Sequence, residues 1–96
     1  MMNGGDRKQE DWRQKMRDAL LRKREQVSRL RDSIAHDQEN ITRWRIKIGF
    51  LRPGGRSADI HYDLELRIAN VEDAIRSKER KISELESAIR DIESKL

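Results

Sequence analysis

Leu51-Arg52-Pro53-Gly54-Gly55-Arg56-Ser57 is the stretch of this chain where a helix cannot run on. Proline pushes the residue before it out of helical geometry, and paired glycines admit the left-handed conformations that a chain reversal needs. Working outward, a helical pattern extends back from this break to about residue 8 and forward to Leu96. The spacing therefore predicts helix 1 over about 8–51, a turn over 52–57 and helix 2 over about 58–96. Residues 1–7 read as a disordered tail ahead of a single domain, 8–96. Ser57 is the expected N-cap of helix 2, with Asp59 in its first turn favourable to the helix dipole.

The apolar residues recur with a strict heptad. In helix 1, position a holds Leu20, Val27, Ile34, Ile41 and Ile48, and position d holds Met16, Lys23, Leu30, Asp37, Trp44 and Leu51. In helix 2, position a holds Ile68, Ile75, Ile82, Ile89 and Leu96, and position d holds Leu64, Val71, Lys78, Leu85 and Ile92. A spacing of 3.5 residues sustained this long predicts a narrow seam between supercoiled helices; an ordinary amphipathic helix in a globule would carry a wider apolar stripe. The fold class expected is all-α: two long helices forming an antiparallel coiled-coil hairpin, with dimerisation into a four-helix bundle as a further step. Each arm would be on the order of 60 Å long.

Charge selects the pairing. Position e of helix 1 reads Arg17, Arg24, Arg31, Gln38, Arg45 and Arg52; position e of helix 2 reads Glu65, Glu72, Glu79, Glu86 and Glu93. In antiparallel pairs e flanks e, so these two edges meet only if the helices run in opposite directions. Each exposed pair adds only ~0.2–1 kcal/mol, which is small for stability but selective when repeated. The short linker makes the pairing intramolecular, although a domain-swapped dimer satisfies the same pattern. The favoured register sets Ile48 against Leu64, Ile41 against Val71, Val27 against Leu85 and Met16 against Leu96. It also brings two charges in the seam, Asp37 and Lys78, to neighbouring layers. A slip of seven residues would part them and leave Lys78 opposite Val27. Charges at core positions cost stability unless matched, and their best use is to fix register.

Composition bounds the function. Of 96 residues, 34% are hydrophobic and 42% charged, too few apolar groups for a thick core. The net charge of +4 permits an anionic partner without demanding one. Cysteine is absent, which excludes disulfides. No apolar run approaches a membrane span and the N-terminus lacks a signal-like stretch, so an intracellular, cytoplasmic protein is the expectation.

Two surfaces stand out. Small residues line what reads as one edge: Ala19, Ser33, Ala74 and Ala88 at position g, with Ala35 and Ala69 near them at position b. Such residues allow a further helix to approach, so this is a candidate association edge for a protein partner or a second copy; alanine is also simply a good surface helix former. The turn end is the other surface. Between Ile41 and Ala58 there is no acid, while Arg43, Arg45, Lys47, Arg52 and Arg56 are present with Trp44 and Phe50. Arg43, Lys47, Phe50, Arg52 and Arg56 form a candidate tip for nucleic acid, an anionic surface or an acidic protein. On the remaining outer face the bases of position c (Lys15, Arg22, Arg29, Arg43) have acids of position f beside them, as in a solvated, self-compensated surface.

Catalytic chemistry finds no footing. His36 lies on the compensated face, and His61 takes an a position by the turn, where capping or partial burial is the common role. Ser57 has no base nearby. No metal-ligand cluster, cofactor motif, glycine-rich phosphate loop or strand is expected, and a thin hairpin offers no pocket for a small-molecule substrate. No enzyme is expected.

In outline this hairpin resembles the antiparallel coiled-coil fingers of Rho effectors, the homology-region repeats, and is similar to the tRNA-binding arm of seryl-tRNA synthetase. The stretch Arg45-Ile46-Lys47-Ile48-Gly49-Phe50-Leu51 resembles the basic, glycine-containing segment of the first helix of the Rho-effector repeat. That resemblance implies a small-GTPase-binding finger. Here a proline-glycine turn follows at once, where the helices of that family run on, so no residue roles are carried over. The expectation from the residues themselves is a non-enzymatic module for protein–protein interaction, a scaffold that self-associates or docks to a larger complex. An anion-binding tip is the alternative.

Overall fold

The structure, a computed structural model, describes the backbone of residues 4–96 and the side chains from Lys8 onward. Two α-helices, α1 (Gly4–Gly49) and α2 (Arg56–Lys95), fold back on each other as an antiparallel hairpin. No strand occurs among the described residues. At ~1.5 Å per residue, the 46 residues of α1 and 40 of α2 give arms of about 69 and 60 Å. The Cα trace spans 83 × 15 × 15 Å, so the molecule is a rod two helices wide.

The ends of the helices differ from the sequence expectation. Of the expected tail 1–7, residues 1–3 lie outside the described residues, whereas 4–7 are already helical. Extending a helix that is already nucleated costs far less than starting one, so α1 propagates past Lys8. At the other end α1 stops at Gly49, short of Leu51. The amide of Phe50 donates to the carbonyls of Ile46 and Lys47, both at 3.2 Å, and that of Leu51 to Ile48 at 3.1 Å. The last turn thus tightens before Pro53 ends it. The reversal needs glycine at two positions: Gly54 has φ 98° and Gly55 φ 60°, a left-handed region costly for other residues. Gly55, not Ser57, is the N-cap of α2, and no side chain caps it. The glycine turn directs the chain into the helix before Ser57 is reached, and the Ala58 amide already bonds the Gly55 carbonyl at 3.2 Å.

The buried residues are those of the seam. Leu20, Val27, Ile41, Leu64, Ile68, Ile75, Ile82 and Leu85 are buried, and all occupy a or d positions. Six of them form two clusters. Val27, Ile82 and Leu85 pack with Leu30, Ile34 and Ile89 toward the open end. Ile41, Ile68 and Ile75 pack with Ile34, Trp44, Ile48 and Val71 toward the turn. Each buried aliphatic side chain contributes about 1.5–3 kcal/mol, so a single row of them carries most of the stability of so thin a molecule.

Candidate functional site

Between the two clusters the seam turns polar. Lys78, at a d position of α2, forms an ion pair with Asp37 of α1 and donates a hydrogen bond from Nζ to Ser33 Oγ at 2.8 Å. The side chains of Lys78 and Asp37 are only 26% and 16% exposed. A charge this shielded is costly unless paired, so the two act as a unit. Their contact also places Val27 beside Leu85 and Ile41 beside Val71, the unslipped arrangement. Ser33 belongs to this node, where sequence reasoning had put it on the association edge. The signal was in the heptad: a d residue leans toward the g side, where Ser33 lies.

One flank of the seam is cross-linked. Arg24 meets Glu93 at 3.6 Å, Arg31 meets Glu86 at 3.3 Å and Arg45 meets Glu72 at 3.5 Å. All three contacts repeat the same offset. Side chains on a helix tilt toward its N-terminus, so on antiparallel helices they reach toward each other along the axis. The other members of this edge follow the same rule and miss. Glu79 faces Gln38, which carries no charge. Arg52 lies in the turn, and Glu65 instead contacts Nε2 of His61 at 2.9 Å. For Arg17 the matching position falls beyond Leu96. His61 itself is exposed, so it does not enter the seam.

The expected small-residue edge does not hold together as one surface. Ala69 sits beside Arg45, Glu65 and Glu72, on the bridged flank, and Ala35 beside Gln38 and Thr42 on that same side. Position b borders e rather than g, which is the physical reason. Ala19, Ala74 and Ala88 remain on the g flank, with Ala19 and Ala88 half-buried and Ala74 exposed. No cross-helix ion pair among the described residues lies there other than Lys78 with Asp37.

At the turn end Trp44 is half-buried against the seam, whereas Phe50 is 84% exposed. Ile46, Ile60, Tyr62 and Leu66 are exposed as well. Arg43, Lys47, Arg52 and Arg56 are exposed and take part in no ion pair among the described residues. Among the described residues no group of three His, Cys, Asp or Glu could hold a metal ion, and no helix is long and apolar enough to cross a membrane. No family model, curated protein or solved structure matches the chain.

Proposed function

We propose that this chain is a non-enzymatic coiled-coil interaction module of the cell interior, a rod that self-associates or docks to a larger complex. The observation that carries the reading is the difference between the flanks. The e flank is closed by Arg–Glu contacts, while the g flank keeps small residues and open charge. In the half away from the turn, Ala19 and Ala88 on that flank are bordered by Arg22 and Arg29 of α1 and by Glu84 and Asp91 of α2. Two copies laid g flank to g flank, with parallel rods, bring Arg22 and Arg29 of each α1 to the level of Asp91 and Glu84 of the other copy's α2, where Lys81 and Lys95 also lie. The association would add burial that a two-helix rod lacks and build a four-helix bundle.

Sedimentation equilibrium tests this. A concentration-dependent dimer is expected, weakened by Arg22→Glu with Arg29→Glu and recovered by adding Glu84→Arg with Asp91→Arg. A monomer at all concentrations removes self-association.

A second reading has its own support. The acid-free stretch from Ile41 to Ala58, with its exposed cations and Phe50, suits an anion binder acting through the turn end. Binding of a nucleic acid or an anionic surface that falls steeply with salt would favour it.

A further inference from the structure

The cations at the turn end are not spread evenly around the rod. Arg43 and Arg56 take c positions and Lys47 and Arg67 take g positions, so these four share the g flank across both helices. All are exposed, and none makes an ion pair among the described residues. Arg45 and Arg52 lie on the opposite flank, where Arg45 is held by Glu72. On the basic side the one acid at c or g is Asp63. Glu39 and Asp59 project from outer f positions, Glu39 one turn from Arg43 but forming no ion pair with it, and Glu65 is taken up by His61 on the bridged flank. Toward the open end the same flank carries Lys15, Arg22, Arg29, Lys81 and Lys95 against Asp91 and Glu84, and Glu84 is paired with Lys81 at 3.8 Å. The g flank is therefore basic along its length, and in the half nearest the turn its cations lie beside exposed apolar side chains.

Two large apolar side chains lie within the same patch. Phe50 continues the last turn of α1 through its amide bond to Ile46 and takes the next c position. Ile60, 42% exposed, takes the g position of α2 nearest the turn. The patch runs along about 20 Å of a straight, convex rod. The convex surface of a narrow rod suits a flat or yielding partner rather than an inserted peptide. Phosphates alone would account for the cations, and a base could stack on Phe50, but an aliphatic Ile60 gains nothing from a nucleic acid. Both apolar groups gain from the boundary between lipid headgroups and acyl chains, while the arginines and lysine around them meet lipid phosphates.

We propose that the turn-proximal half of the g flank docks sideways on an anionic lipid bilayer, with Phe50 and Ile60 dipping into the headgroup boundary and Arg43, Lys47, Arg56 and Arg67 held at its surface. The inference rests on the anion-binding reading above and names its ligand. Each cation near an anionic leaflet adds on the order of 1 kcal/mol, so the patch gives reversible attachment, not permanent anchoring.

Co-sedimentation of the full chain with vesicles tests it, using phosphatidylcholine alone and with about 30% phosphatidylserine. The wild type binds the anionic vesicles and not the neutral ones. Neutralising Arg43, Lys47 and Arg67 to Gln together lowers partitioning roughly 100-fold. Phe50→Ser with Ile60→Ser lowers it several-fold, with the helical circular-dichroism signal unchanged. The same loss of charge on other faces, Arg76, Arg80 and Arg90 to Gln, lowers it far less. Absence of binding at low salt, or an equal loss in that control, overturns the proposal. A labelled single-stranded oligonucleotide run in parallel separates the two levels. Binding to it but not to vesicles sinks the lipid assignment and keeps the anion-binding reading, whereas binding to neither removes both.

Discussion

Toward the open end of the rod Val27, Ile82 and Leu85 close on each other, and toward the turn Ile41, Ile68 and Ile75 do the same. Between them the seam is spanned by Lys78, Asp37 and Ser33. Both regions fill the same gap between the same two helices, yet they contribute different things. The apolar layers supply free energy and are nearly indifferent to a shift of one heptad, since one aliphatic layer resembles the next. The polar node supplies little net free energy, because its attraction is offset by desolvation. Its worth is that only one register satisfies it. Stability and register are thus carried by separate residues.

That separation can be broken from either side. The largest expected effect comes from the apolar layers: Ile75→Ala or Ile82→Ala should cost about 2–4 kcal/mol in urea unfolding, leaving the register intact in whatever remains folded. Charge reversal at the node comes next. Asp37→Lys alone or Lys78→Asp alone should cost about 2–3 kcal/mol by placing like charges in a shielded layer. The double exchange should recover most of that loss, and equal damage in the double variant would deny that the two side chains meet. Replacing both by Leu should sharpen the distinction. Thermal stability rises while cross-linking between engineered cysteines shows slipped registers alongside the native one. The smallest effect belongs to the bridged flank. Arg31→Glu should cost under about 1 kcal/mol at low salt, and the difference should shrink as salt is added, because both partners are largely exposed.

The same division explains what could be read from the residues alone. Heptad spacing and the glycine-proline break imply two opposed helices because period and turn chemistry are local properties. The opposed arginine and glutamate edges imply the orientation because charge complementarity does not depend on detail. What the sequence could not tell was which members of those edges touch. That depends on the tilt of side chains along the axis, which gives Arg24, Arg31 and Arg45 partners and, among the described residues, gives Arg52 none. Ser33 looked like one more small surface residue because its role is set by the lean of Lys78 across the seam. Ser57 looked like a cap because cap preferences take no account of a preceding pair of glycines that already turns the chain. Ala35 and Ala69 were grouped with the g flank by size, whereas their b positions assign them to the other side. The function of the surfaces was less legible than the fold, since a basic residue reads the same whether or not something covers it.

Every feature of the rod follows from the two helices of one chain lying side by side in opposite directions. Asp18 and Ser94 occupy outer f positions at the same level of the rod, so nitroxide labels on cysteines there measure it directly. With labelled chain diluted into unlabelled chain, a single short distance is expected, the 15 Å width of the rod plus the two label arms. A separation on the order of 100 Å within the diluted chain, as for helices that extend apart or exchange with a neighbour, would contradict the account.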